Sequence, residues 1–257
     1  MARFSANLGF LLTHRCLPEA ILTAAAAGFD AVECHFPYDE DPVAVRAALA
    51  RTGLPLLALN TVRGDRDGDF GQAAVPGRET EARAAIDQAV TYGAEVGAGA
   101  VHVMAGRTTA AEADATFVAN LRYAAQHAAA AGLDVLIEPI NHCDVPDYHL
   151  VTVEQGRSVI EAVGHPAVGL MFDCYHVQIS QGDLLRRLDD HLDVVGHIQF
   201  ASVPNRAEPD EGELAYPQIF EAIDALGWDG FLGAVYRPRT TTDEGLGWLS
   251  RARGFTP

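Results

Sequence analysis

Basic residues are scarce in this sequence. Its 257 residues include 18 basic and 35 acidic side chains, which gives a formal net charge of −17. Neutralising a phosphate backbone requires clusters of Lys and Arg, and an anionic membrane surface repels an acidic protein. We therefore expect a small molecule as the substrate, and neither nucleic acid nor a membrane as a partner.

Cysteine is also rare, and long apolar runs are missing. Cys16, Cys34, Cys143 and Cys174 form no Cys-x-x-Cys pair, which argues against a disulfide framework and against a structural zinc site. No apolar run approaches the roughly 20 residues that span a bilayer. The first residues lack the apolar stretch of a secretory signal. These absences favour a cytoplasmic protein.

A Gly-x-Gly-x-x-Gly loop is missing after the first predicted strand, so we expect no nucleotide cofactor. The sequence instead contains eight short apolar runs, separated by Ala- and Leu-rich segments such as 18–27, 79–96 and 112–131. Continuous apolar runs are typical of buried parallel strands. The predicted strands are 5–10, 30–35, 55–60, 100–105, 134–139, 168–173, 194–199 and 231–236.

Eight alternating strand and helix units predict a parallel sheet with right-handed crossovers. A chain of about 250 residues is typical of the (β/α)8 barrel. We therefore expect an α/β protein with a single TIM-barrel domain over residues 1–257. A doubly wound open sheet is the alternative.

Capping patterns mark the ends of the helices. Thr109, Thr152 and Thr241 each precede a Glu or Gln by three residues, the pattern of a capping box. Glycines in the left-handed conformation are predicted where helices end, at Gly28, Gly132, Gly164 and Gly227.

Three predicted strands end in a polar side chain. Glu138, Asp173 and Gln199 occupy matching positions, whereas the eighth strand places Val235 there. In a barrel such residues converge at the carboxyl ends of the strands, where ligands bind. Their oxygen atoms suit Mg²⁺ or Mn²⁺. We predict a divalent metal site with an incomplete ligand set.

Histidines and one further acid lie near the same edge. His176 follows Asp173 by three residues and is a candidate acid or base, or a ligand for a substrate hydroxyl. His102 and His197 are both candidate substrate contacts, and His102 is the stronger candidate. Glu33 and His35 share one face of the second strand and are further candidate substrate contacts. A carboxylate in a barrel wall needs a partner, so Glu33 is expected to orient His102 or a substrate hydroxyl.

Two long connections follow predicted strands, at residues 61–77 and 201–215. Long loops on this side of a barrel commonly build binding sites. Arg206 can bind a substrate carboxylate or phosphate through two hydrogen bonds. Glu208 and Glu213 are further candidate substrate contacts, although a solvated ion pair is an equally good interpretation of each of these residues.

Several segments together resemble the hydroxypyruvate isomerase family, which includes 2-oxo-tetronate isomerases and belongs to the xylose-isomerase-like barrels. The resemblance covers most of the chain. It rests on residues 28–38, 102–106, 136–141, 172–176, 196–199, 206–213 and 236–238.

The resemblance implies an aldose–ketose type isomerisation of a small hydroxy-carbonyl acid, as part of carbohydrate metabolism. It implies that Glu138, Asp173 and Gln199 are metal ligands and that Glu138 is also an acid/base carboxylate. His176 and Arg206 match substrate-contacting positions. The chain departs from the family pattern at Val235, where a second catalytic, metal-binding Glu is expected. Ala207 and Ser202 also stand where the family usually has His and Asp.

These departures leave three hypotheses open. The first is an isomerase of the family type, weakened or altered by Val235. The second is a diverged enzyme that uses Glu138 as a single acid/base on a different, less polar substrate. The third is a non-catalytic protein that binds a small molecule. A homo-oligomer is compatible with each of them.

Overall fold

The computed structural model describes residues 2–253. The chain alternates strands and helices along its whole described length. The strands are β1 (Arg3–Asn7), β2 (Ala31–Glu33), β3 (Ala58–Asn60), β4 (Ala100–His102), β5 (Asp134–Ile137), β6 (Val168–Asp173), β7 (Val195–Phe200) and β8 (Phe231–Ala234).

Helices connect the strands and pack around them. They are α1 (Leu17–Ala26), α2 (Pro42–Thr52), α3 (Glu79–Val96), α4 (Ala113–Ala130), α5 (Val153–Val163), α6 (Cys174–Ser180), α7 (Leu184–His191), α8 (Tyr216–Ala225), α9 (Thr242–Gly245) and α10 (Gly247–Ala252). A short 3-10 helix, Leu192–Val194, leads into β7. None of the helices in the described part is long and apolar enough to cross a membrane.

All eight strands belong to one parallel sheet in the order β2-β1-β8-β7-β6-β5-β4-β3. The first and last strands of this order, β2 and β3, lie side by side and close the barrel. There Val32 bridges Leu56, Leu57 N–H donates to the Val32 carbonyl at 2.8 Å, and Asn60 N–H donates to the His35 carbonyl at 2.8 Å. The predicted (β/α)8 barrel is therefore confirmed, and the open sheet is excluded.

Most of the predicted helix boundaries agree with the structure. Thr152 and Thr241 cap α5 and α9 by accepting a backbone N–H three residues later. The predicted glycine turns are confirmed, with φ of 92°, 75°, 68° and 85° at residues 28, 132, 164 and 227. The predicted helix cap at Thr109 is wrong, because α4 begins only at Ala113. The neighbouring Thr108 side chain instead accepts a hydrogen bond from the Ala110 N–H.

Five of the eight strands, β1, β2, β4, β5 and β8, end before the carboxyl ends of the predicted strands. β4 ends at His102 and β8 ends at Ala234, so Glu138, Val235 and the residues after them already belong to connections. This occurs because the chain leaves the sheet to build the loops above it. Ala58, Ala100, Leu136 and Met171 form a small buried apolar cluster that is separate from the main core.

The four cysteines are free. Cys34 and Cys174 are buried, whereas Cys16 and Cys143 are exposed. Burial raises the pKa of the Cys174 thiol well above its ordinary value, which suits a packing role and not that of a nucleophile.

Candidate active site

A small cavity lies at the carboxyl ends of the strands. Its volume is about 70 Å³, which is enough for roughly five water-sized groups. The predicted residues that line it are His35, His102, Glu138, His176, Gln199, Arg206 and Val235. A larger depression of about 600 Å³ lies at the opposite end of the barrel, where β5 to β8 begin.

Glu138, Asp173 and His176 form a buried group beside this cavity. One potential ligand atom from each of the three lies within 4.8 Å of the others. His176 Nε2 is 3.7 Å from Glu138 Oε1 and 3.7 Å from Asp173 Oδ2. The strands position the group, because Asp173 ends β6 and Glu138 follows β5 directly.

Both carboxyl groups bind protons more tightly than usual. Burial, and secondly the charge of Asp173, raise the pKa of Glu138 to about 8. Burial raises the pKa of Asp173 to about 6, although the Arg206 guanidinium opposes this shift. Two carboxylates in a dry site favour either a shared proton or a bound cation.

The hydrogen bonds of Asn141 determine the tautomer of His176. Asn141 Oδ1 accepts the Asp144 N–H at 2.8 Å, so its amino group faces His176 Nδ1 at 2.7 Å. The Asn141 backbone N–H also donates to Nδ1, at 3.3 Å. A neutral imidazole that accepts at Nδ1 carries its proton on Nε2. His176 therefore presents an N–H donor to the two carboxyl groups and the cavity.

His102 lies on the other side of Glu138. Its Nδ1 is 3.7 Å from Glu138 Oε2, and its Nε2 has no hydrogen-bond partner within residues 2–253. Burial lowers the pKa of His102 to about 3, and burial likewise lowers that of His35 to about 4. Both rings are therefore neutral near pH 7. Because His102 Nε2 has no hydrogen-bond partner among the described residues, it is available to a substrate group in the cavity.

Gln199 is oriented from below by Glu33. Gln199 Nε2 donates to Glu33 Oε2 at 2.5 Å, which leaves the amide oxygen of Gln199 uncommitted to this contact. Ser5 Oγ and His197 Nε2 contact the other carboxylate oxygen, at 2.9 and 3.3 Å. A Cβ atom at Gly233 would lie 2.2 Å from Glu33 Oε1. The absence of a side chain there allows Glu33 to reach β7.

Arg206 comes from the connection between β7 and α8. Its guanidinium lies 3.4 Å from Asp173 Oδ2 and 3.8 Å from Asp144 Oδ2. Its Nε donates to the Val235 carbonyl at 3.4 Å. The backbone of Arg206 has a φ of 50°, a strained conformation for a residue other than glycine. The contacts with Asp173, Asp144 and the Val235 carbonyl hold the Arg206 side chain beside Asp173, one of the candidate metal ligands.

Two predicted substrate contacts do not line the cavity. Glu208 is buried and binds the Arg239 backbone N–H and side chain, which anchors the segment after β8. Glu213 is exposed and accepts a hydrogen bond from Gln178 at 3.2 Å. Glu33 is also outside the cavity lining and reaches it only through Gln199.

Sequence reasoning missed two residues of the site. Asn141 lies in a segment that carries the family resemblance, but nothing local indicates its contact with His176. Arg63 lines the cavity from the connection between β3 and α3. The length of that loop predicted a functional segment, but nothing in the sequence distinguished Arg63 from its neighbours.

The donor set is compatible with a divalent cation. Glu138 and Asp173 offer adjacent carboxylate oxygens, and Gln199 offers an amide oxygen, the ligands that hard cations prefer. His176 is the less suitable ligand, because its Nε2 bears a proton in the arrangement observed. Val235 is buried beside the cavity and offers no side-chain donor.

Comparison with known proteins places the chain in a family. The family model described as xylose isomerase-like TIM barrel matches residues 21–252. The 2-oxo-tetronate isomerase of Cupriavidus necator is 44% identical over 254 residues, which cover 97% of this chain and 98% of the relative. The chain belongs to the xylose isomerase-like TIM-barrel family.

Two further proteins are similar to the chain over nearly their whole length. The hydroxypyruvate isomerase of Escherichia coli K12 is 37% identical over 258 residues, covering 98% of this chain and all of the relative. The crystal structure of AP endonuclease, family 2, from Brucella melitensis superposes with a TM-score of 0.93 at 38% identity, covering 98% of this chain and 99% of that one. The resemblance to the hydroxypyruvate isomerase family is confirmed.

Proposed function

We propose that this protein is an isomerase of small hydroxy-keto acids that interconverts a 2-keto-3-hydroxy acid and its aldehyde isomer. The observation that carries the proposal is the buried Glu138, placed between His176 Nε2 and His102 Nδ1 at 3.7 Å from each. A carboxyl group with a raised pKa and two neutral imidazoles beside it suits proton transfer near pH 7. The names of the relatives support the same reaction class.

The reaction requires one carbon-bound proton and one hydroxyl proton to move. For hydroxypyruvate, the ionised Glu138 removes a proton from C3, and the electron pair forms an enediolate across C2 and C3. Glu138 then returns the proton to C2, while the hydroxyl proton moves from the C3 oxygen to the C2 oxygen. His176 Nε2–H is placed to donate a hydrogen bond to an oxygen of the enediolate.

Val235 limits this chemistry to one carboxylate. It lies next to the end of β8, three strands around the barrel from Glu138. Its side chain accepts no proton, so Glu138 is the carboxylate left to remove and return the proton, on the face of the substrate that it contacts. We therefore propose a single-base mechanism for this chain.

We propose Mg²⁺ or Mn²⁺ as the metal, held by Glu138, Asp173 and Gln199. A divalent cation held there would supply Lewis-acid stabilisation for negative charge that develops on the substrate oxygens. Its charge would also favour the ionised form of Glu138, the form that accepts the proton. Glu33 supports this set because it turns the amide oxygen of Gln199 away from its own carboxylate.

The absence of lysine supports acid/base chemistry over covalent catalysis. All 18 basic residues are arginine, and the sequence contains no lysine. A keto acid cannot form a Schiff base with an arginine side chain, so a lysine-dependent imine mechanism is excluded.

The apolar part of the cavity favours a second candidate function. Met104, Ile140, Val145, Met171 and Val235 line the cavity. Such a wall suits a substrate with an apolar substituent, on which Glu138 acts as the single acid/base.

Homo-oligomerisation and a cytoplasmic setting remain predictions.

A label-transfer experiment tests the proposed function. The metal-loaded protein is incubated with hydroxypyruvate carrying deuterium at C3, and NMR follows both isomers. We expect isomerisation with part of the deuterium appearing at C2, and a 10²–10⁴-fold lower rate for Glu138→Gln. Glu112→Gln, an exposed acid before α4, is the control. Equal rates for wild type and Glu138→Gln, or no turnover of any hydroxy-keto acid, contradict the proposal.

A further inference from the structure

Aromatic rings and two guanidinium groups form a row along one side of the cavity mouth. Successive centres lie 4.8 to 5.8 Å apart. In order, they belong to Arg206, Phe10, His35, Phe36, Arg63 and Phe70. These contacts come from the connections after β7, β1, β2 and β3, so barrel closure is required to assemble the row.

The two arginines of this row differ in their charge partners. Arg206 lies within 4 Å of Asp173 and Asp144. Arg63 forms no ion pair with any carboxylate between residues 2 and 253, and its guanidinium lies over the rings of Phe36 and Phe70. The Arg206 charge is therefore largely neutralised, whereas the Arg63 charge is available.

The loop that carries Arg63 is held in place. Gly71 N–H donates to the Arg63 carbonyl at 2.7 Å. Further along the loop, the buried side chain of Arg78 donates to Asp69 at 2.8 Å and to Asp65 at 2.6 Å. These contacts hold the loop around Arg63, and the rings of Phe36 and Phe70 lie against its exposed side chain, which reduces the entropy lost when a ligand binds.

An anionic substrate group must avoid the carboxylates of the site. Glu138 and Asp173 repel a second negative charge, and the protein as a whole carries a net charge of −17. Arg63 lines the cavity where it meets Phe36 and Phe70, whereas Glu138 lies between His102 and His176. Arg63 therefore belongs to a different part of the cavity lining from the reacting group.

We propose that Arg63 binds the carboxylate of the substrate and thereby selects acids over neutral hydroxy-ketones. This inference rests on the proposed function, since it assigns a residue to one end of the proposed substrate. Arg63 forms a fork of N–H donors that matches a carboxylate. The hydroxy-carbonyl end of the substrate then lies toward Glu138 and His176, and Arg206 retains its contact with Asp173.

A matched pair of ligands tests this assignment. Hydroxypyruvate and dihydroxyacetone share a hydroxy-ketone and differ by a carboxylate in place of a hydroxymethyl group. Calorimetry measures the binding of both to Glu138→Gln, where turnover is suppressed, with and without Arg63→Met. We expect Arg63→Met to weaken hydroxypyruvate binding 10- to 100-fold and to change dihydroxyacetone binding less than 2-fold.

Two further variants complete the experiment. Arg66→Met removes an exposed arginine of the same loop that pairs with Glu81 at 3.9 Å, and we expect unchanged binding. Arg63→Lys keeps the charge without the fork, and we expect intermediate affinity. Unchanged hydroxypyruvate binding by Arg63→Met, or an equal loss for both ligands, overturns the assignment.

The same measurements separate this inference from the proposed function. If hydroxypyruvate binding depends on Arg63 but the wild-type protein isomerises no keto acid, the carboxylate site stands and the proposed function is wrong. If the wild type isomerises hydroxypyruvate and Arg63→Met does so with the same kcat/KM, the proposed function stands and the role of Arg63 is wrong.

Discussion

Glu33 orients Gln199 across the inside of the barrel. Their hydrogen bond of 2.5 Å joins residues 166 positions apart in the chain. Its acceptor, the Glu33 carboxylate, is fully buried, and the contacts with His197, Gln199 and Ser5 lower its pKa against the effect of burial. Glu33 therefore remains ionised and keeps the amino group of Gln199 turned toward itself.

Replacing Glu33 tests this positioning role. We expect Glu33→Gln to lower Mn²⁺ affinity and kcat/KM by roughly 10- to 100-fold, as is typical for partners of metal ligands. Manganese titration followed by electron paramagnetic resonance measures the affinity. Ser5→Ala, which removes one neutral hydrogen bond to the same carboxylate, is expected to have a smaller effect. Equal affinity in Glu33→Gln and wild type contradicts the role.

Val235→Glu restores the carboxylate that the family resemblance leads one to expect. We expect at least a tenfold gain in Mn²⁺ affinity, because a third carboxylate joins Glu138 and Asp173, and a rise in isomerase activity. Without metal the variant is expected to be less stable than wild type, since the new carboxylate is buried near two others. Val235→Gln, which adds a similar volume without charge, is the control. No gain in affinity or activity over this control means that the cavity has diverged beyond one residue.

Asn141→Ala tests the tautomer of His176. The substitution removes the amide that contacts Nδ1 and also the acceptor for the Asp144 N–H. We expect an activity loss of about tenfold and a stability loss of about 1–3 kcal/mol. Nitrogen-15 NMR of the histidine rings is expected to show the Nε2–H form in wild type and a tautomer mixture in the variant. Asn120→Ala is the control, since Asn120 is equally buried but binds the Ala73 carbonyl. A wild-type ring spectrum for Asn141→Ala refutes the explanation.

The lowered pKa of His35 predicts how stability depends on pH. Burial lowers this pKa from an ordinary value of 6.5 to about 4. Between these values the unfolded chain binds more protons than the folded protein, so stability falls as pH falls. Between pH 7 and pH 5 we expect the free energy of unfolding to fall by about 1–2 kcal/mol less in His35→Gln than in wild type. Urea unfolding at both pH values measures the difference, with His127→Gln, at an exposed position of α4, as the control. Parallel losses in His35→Gln and wild type exclude His35 as the cause.

The sequence by itself determined the barrel and the positions of the polar residues at its strand ends. Each of the eight apolar runs is a local pattern, and a buried strand requires little beyond such a run between turn residues. The bounds of α3 follow from local periodicity for the same reason. Glu138, Asp173 and Gln199 could be placed at one edge because parallel strands all end on the same side.

Only the tertiary structure decided which side chains meet. Glu33 on β2 reaches Gln199 on β7 across β1 and β8, because Gly233 on β8 leaves the space between them. Among residues 2–253 Arg63 pairs with no carboxylate, and its guanidinium lies over Phe36 from the connection after β2 and over Phe70 of its own loop. Glu208 pairs with Arg239 and not with the cavity, although its segment resembles a substrate loop. These contacts join residues distant in sequence, so their geometry depends on packing that no local pattern of residues contains.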